Sequence, residues 1–204
     1  MSSRRRIVLF GIALAVGGVT ASLTSCSSPI PNRDPTGDAF PPVRGESLEG
    51  RQVELPAAVS GEPAILMVGY LQRTQFDLDR WTLGFVQAEA DIRVIEVPAI
   101  VGWFPSTFLR GTIDDGMRAG IPAEDWNAVV TLYGDEAERV QALTGTEDGG
   151  NGRILLLDER GRIRWFWDQG YSPKRLLELL EVANGLRTAG TAPSPTSPTA
   201  PGDS

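Results

Sequence analysis

Between Val43 and Ala183 the apolar residues follow two periods that alternate along the chain. Val43–Leu55 places short apolar positions around a glycine turn, which predicts a small hairpin. Ala64–Tyr70 is continuously apolar, as expected of a strand buried on both faces. Leu78, Trp81, Phe85 and Ala88 then recur at helical spacing, with Thr74 and Asp77 as a capping pair ahead of them. Ile92–Ile100 reads as a strand, 105–120 as a weak, glycine-interrupted helix, and Ala128–Tyr133 as a third strand. Asp135 and Glu138 open a helix that stops at Gly145. Arg153–Trp167 holds two strands around the turn Asp158-Glu159-Arg160-Gly161. Ser172, Pro173 and Asn184-Gly185 delimit a final helix whose face is Leu176, Leu177, Leu179, Leu180 and Ala183. Strands alternating with helices, closed by an antiparallel hairpin, predict an α/β domain with a mixed central sheet.

Both ends fall outside this pattern. Residues 188–204 hold prolines, serines and threonines but no large apolar side chain, so nothing there repays the entropy of ordering, and a disordered tail is expected. At the start, Ser3-Arg4-Arg5-Arg6 precedes an apolar stretch from Ile7 to Leu23. That is the layout of an export signal, here residues 1–25. The stretch is about 17 residues long, at the lower limit for spanning a bilayer, so an uncleaved anchor is the competing reading. Residues 26–39 read as a polar linker, and 40–187 as one domain.

Composition removes several chemistries. The chain has no histidine and one cysteine, Cys26, which excludes a Ser-His-Asp triad, a Cys-His pair, histidine-ligated zinc, an intrachain disulfide and a Cys-x-x-Cys pair. No cofactor is implied. The net charge of −7 becomes −10 once Arg4, Arg5 and Arg6 are removed with the signal. A chain this acidic is a poor partner for nucleic acid or anionic lipid through charge alone.

Leu23-Thr24-Ser25-Cys26 resembles a bacterial lipobox. The resemblance implies that Cys26 becomes the lipidated N-terminus of the mature protein, which places it on a membrane of the bacterial cell envelope, outside the cytoplasm. Several acyl chains on one residue anchor firmly, at about 0.8 kcal/mol per buried CH₂. Ser3–Val8 is also similar to a twin-arginine export signal.

The opening Phe40–Leu55 hairpin, the strand-loop-helix at 64–89 and the ending Ile154-Leu155-Leu156-Leu157-Asp158-Glu159-Arg160-Gly161-Arg162-Ile163-Arg164-Trp165 resemble the thioredoxin-like superfamily. The ending is similar to that of the mitochondrial ATP-synthase assembly-factor branch, the opening to peroxiredoxins and membrane-tethered thioredoxins. The resemblance implies a three-layer thioredoxin-like fold. It also implies redox cysteines in the loop between the first central strand and its helix, yet that loop, Gly69-Tyr70-Leu71-Gln72-Arg73-Thr74-Gln75-Phe76, has none. The family's cis-proline likewise has no clear match at Gly149-Gly150-Asn151-Gly152.

The candidate surface is this former active-site edge: Tyr70, Gln72, Arg73, Thr74 and Gln75, together with Arg164 and Trp165. Gln72 and Arg73 at a helix N-terminus suit an anion or polar ligand. Alternatively, Thr74 and Asp77 cap the helix while Arg73 faces water. Trp165 and Trp167 share one strand face, either for partner docking or for packing sheet to helix. Asp114-Asp115 and Glu124-Asp125 read as solvated surface, and Asp148–Gly152 as a flexible connection. By resemblance to the assembly-factor branch, the expected role is binding a protein partner in assembly or scaffolding. The alternatives are a small-ligand-binding lipoprotein and a non-thiol enzyme on a peroxiredoxin-like scaffold.

Overall fold

The computed structural model describes residues 29–101 and 107–190. The export signal, Cys26 and the tail beyond 190 lie outside the described residues. Seven strands form one sheet: β1 (Val43–Ser47), β2 (Gln52–Leu55), β3 (Ala64–Gly69), β4 (Arg93–Ile100), β5 (Val130–Tyr133), β6 (Arg153–Leu157) and β7 (Ile163–Trp167). Their order is β2-β1-β5-β4-β3-β6-β7. β3, β4 and β5 run parallel, with Leu66 opposite Ile95 and Ala99 opposite Leu132. The hairpin β1–β2 joins antiparallel at β5, and β6–β7 joins antiparallel at β3, so the sheet is mixed.

Alternation along β3 feeds two cores. Ala64, Leu66 and Val68 face the side closed by α3 (Asp135–Thr144), where Ala137 and Val140 are buried with Val97, Leu132 and Leu155. Ile65 and Met67 face the side closed by α1 (Gln75–Gln87) and α4 (Pro173–Gly190). There α1 inserts Leu78, Trp81 and Phe85, as its apolar spacing predicts. Trp81 is fully buried and stands edge-on to Trp165 and Tyr171, with centroids 6.3 and 5.4 Å away. Truncating a side chain so enclosed costs about 3–5 kcal/mol. The fourth helix, α2 (Thr107–Arg118), precedes a short 3₁₀ segment, Ala123–Ala128, that enters β5.

Several expectations change on contact with the fold. Leu177 stays 64% exposed while Leu176, Leu179 and Ala183 turn inward, and α4 continues past Asn184-Gly185 to Gly190. Asp114 is buried and accepts the Tyr133 hydroxyl at 2.9 Å, whereas Asp115 pairs at the surface with Arg118.

Residues 30–40, polar in composition, lie bonded along the domain. Thr146 N–H donates to Ile30 O at 2.8 Å, Gly37 N–H to Ile163 O at 2.8 Å, and Phe40 N–H to Gly161 O at 2.9 Å. A polar segment can be ordered in this way because its backbone groups find partners without a hydrophobic face.

Candidate functional site

The loop after β3 leads through a 3₁₀ turn, Gln72–Thr74, into α1. It lies against the loop 145–152, which brings the chain into β6, because Val68 and Arg153 are cross-strand neighbours. The two loops are joined by hydrogen bonds. Thr74 is fully buried; its hydroxyl donates to Gly149 O at 2.8 Å and receives Leu71 N–H at 3.3 Å. Asp77 is buried as well, and its carboxylate accepts Gly152 N–H at 2.9 Å and Tyr171 N–H at 2.7 Å. Neither side chain caps α1. The capping pair read from the sequence is instead a clamp between loops, and Asp148–Gly152 is held instead of free. Gly152 is required by this closeness, since a Cβ there would run into Leu78 Cδ2.

Arg153 anchors the clamp from below. It is fully buried, donating from Nη1 to Asp148 O and Asn151 O at 2.7 and 2.9 Å and from Nη2 to Asn32 Oδ1 and Gly145 O at 3.1 and 3.3 Å. Its guanidinium lies over the Tyr70 ring, 5.2 Å from the centroid. The bonds from its two Nη groups offset much of the cost of burying the cation, while its buried Nε has no partner among the described residues. Asn32 extends the network, donating from Nδ2 to Asp168 Oδ2 at 3.0 Å. Burial pushes the Asp168 carboxyl upward, against the pull of the Arg153 guanidinium. Gly145 is fixed by two demands: its φ is +78°, and Pro31 and Asn32 lie directly where a Cβ would project.

Of the predicted surface, Gln72, Arg73 and Gln75 are exposed and adjacent. Arg73 lies over Gly150, and Gln75 Nε2 donates to Asp79 Oδ1 at 3.0 Å. Tyr70 points inward: its hydroxyl bonds Val140 O and Thr144 Oγ1, and burial pushes it up to about 12. It therefore stays protonated and is no general base at neutral pH. Arg164 and Trp165 are not part of this edge. Arg164 pairs with Asp158 at 3.4 Å, at the opposite end of β6, and Trp165 packs against Trp81 beneath α1.

The sequence reading missed Leu71 and Phe76, which are 44% and 75% exposed beside Arg73. A large apolar residue at the first turn of a helix, out of phase with Leu78, Trp81 and Phe85, was the available signal. It also missed Glu96 on β4, whose half-buried carboxyl is raised to about 7 by burial, a rise opposed by the Gln75 hydrogen bond and reinforced by the Asp79 charge. Two cavities, of 360 and 480 Å³, share Arg93 in their linings and open at the other end of β3 and β4.

The fold has relatives among solved structures. BsSco, a member of the Sco family of cytochrome c oxidase assembly proteins, matches with a TM-score of 0.52 and 12% identity, over 76% of this chain and 98% of that one. Yeast Sco1 with copper bound matches with a TM-score of 0.50 and 15% identity, over 74% of this chain and 94% of that one. A candidate protein disulfide isomerase from Bacteroides thetaiotaomicron matches with a TM-score of 0.51 and 16% identity, over 74% and 89%. At such identities the likeness shows the fold, which is thioredoxin-like. No family model matches the chain. No curated protein matches it in sequence.

Proposed function

We propose that the protein is held by a lipid on Cys26 at a membrane of a bacterial cell envelope, outside the cytoplasm, and that its thioredoxin-like domain binds a protein partner in complex assembly or scaffolding. The observation that carries this reading is the loop Tyr70–Phe76. It has no thiol, its inward Tyr70 and Thr74 are engaged by α3 and by Gly149, and Gln72, Arg73 and Gln75 remain exposed. An exposed arginine among polar side chains suits recognition of a protein surface.

The copper bound by yeast Sco1 calls for soft ligands. Copper favours thiolate, thioether and imidazole ligands. This chain has no histidine, its one cysteine precedes the domain, and among the described residues no three His, Cys, Asp or Glu side chains cluster to hold a metal. That BsSco belongs to a family of assembly proteins supports the assembly reading. No helix among the described residues is long and apolar enough to cross a membrane.

The test is crosslinking in intact cells. Replacing Gln72 and Arg73 together with Ala is expected to reduce capture of the partner several-fold with an unchanged melting temperature; unchanged capture overturns the reading. Cys26→Ser separately tests the anchor and is expected to move the protein from the membrane fraction to the soluble one.

A further inference from the structure

We infer that the loop-bearing end of the domain rests against the lipid bilayer, with Ile30, Leu71, Phe76 and Val101 turned toward the headgroup region. The inference rests on the Cys26 anchor proposed above, and it adds an orientation that the anchor alone does not impose.

Chain length limits how the domain can sit on the membrane. Ile30 is tied to the loop before β6 twice, by its own N–H to Thr146 Oγ1 at 2.9 Å and by Thr146 N–H to its carbonyl at 2.8 Å. Two residues on, Asn32 N–H donates to Glu147 Oε2 at 2.9 Å and Glu147 N–H to Asn32 Oδ1 at 2.9 Å. Ile30, held in this way, lies four residues from Cys26. Fully extended, that leash spans at most about 14 Å. The six residues of β3 carry the sheet about 20 Å from this end to the other, where Arg160 turns β6 into β7. A domain inverted on the membrane would hold Ile30 farther from the lipid than the leash can reach.

The surface at this end suits the placement. Ile30, Leu71, Phe76 and Val101 are 38, 44, 75 and 36% exposed. Leu71 lies against Gly149, Gly149 is next to the Thr146 carbonyl, and Thr146 bonds Ile30, so the first two residues flank one loop. Phe76 stands in the first turn of α1, and Val101 just past the end of β4, which runs parallel to β3. Exposed apolar side chains gathered at the end from which the leash departs are what an interfacial contact requires. A partner that meets Gln72 and Arg73 then meets them at the membrane face.

The experiment uses the full acylated chain in phosphatidylcholine–phosphatidylethanolamine vesicles carrying a nitroxide on the headgroup. Acylation blocks Cys26, so Leu71→Cys, Phe76→Cys and Arg160→Cys each present one thiol for a fluorophore. Quenching at positions 71 and 76 is expected to exceed that at 160 at least threefold. Equal quenching in a chain that stays vesicle-bound overturns the orientation and leaves the anchor standing. Loss of the chain from the vesicles overturns the anchor and this inference with it.

Discussion

The carboxylate of Asp77 on α1 accepts the main-chain N–H of Gly152, 75 residues away, at 2.9 Å. That bond, with Thr74 to Gly149, closes the two loops of the edge on each other. The edge so closed presents Gln72 and Arg73 on its outer face.

Asp77→Ala leaves the N–H groups of Gly152 and Tyr171 without their acceptor. Hydrogen bonds to a charged group contribute about 1.5–3 kcal/mol each. The variant is expected to unfold about 3 kcal/mol more easily in urea. A loss below about 1 kcal/mol would show that the loops are joined by other contacts.

Asn32→Ala removes the amide that bridges Arg153 and Asp168 and receives Glu147 N–H. The sheet is untouched, so the expected effect is local. Amide hydrogens of Thr146 and Glu147 should exchange at least tenfold faster, while those of β3 and β6 keep their protection. Unchanged exchange at 146 and 147 would show that the segment 30–33 is held without Asn32.

Glu96 gives the fold a pH dependence with a defined sign. Burial raises its carboxyl from 4.5 to about 7. The unfolded chain releases this proton from about pH 4.5 upward, and the folded chain keeps it to about pH 7. Stability from this group is therefore complete at low pH, falls across that window and is flat above it. Glu96→Gln is expected to be more stable than the parent by about 2 kcal/mol at pH 8, allowing for screening of a half-buried group, and close to it at pH 4.5. Parallel stability profiles for the two proteins between pH 4.5 and 8 would refute this.

Features set by neighbours along the chain were legible in the sequence. The unbroken apolar run of β3, the Asp158–Gly161 turn between β6 and β7, and the Ser172-Pro173 start of α4 all depend on residues within a few positions of one another. The loop between β3 and α1 was legible in position, but its contacts were not. Asp77 and Thr74 look like helix-start residues, and only partners 75 or more residues distant turn them inward. Arg153 looks like a surface charge beside a strand, and its burial depends on carbonyls of a glycine-rich loop and on Asn32. Arg164 and Trp165 are close to the edge in no sense but family pattern, because the strand direction of β7 carries them away from it. The segment 30–40 has no hydrophobic period, so nothing local announces that it lies on the domain.

The most direct measurement is photocrosslinking in intact cells from a photoreactive residue placed at Gln75, with one at Arg160 as the control on the opposite end. If the thiol-free edge binds a protein partner, Gln75 yields a discrete protein adduct that Arg160 does not, and the adduct is lost when Gln72 and Arg73 are replaced by Ala. An absence of adduct at Gln75, or the same adduct from both positions, contradicts the account.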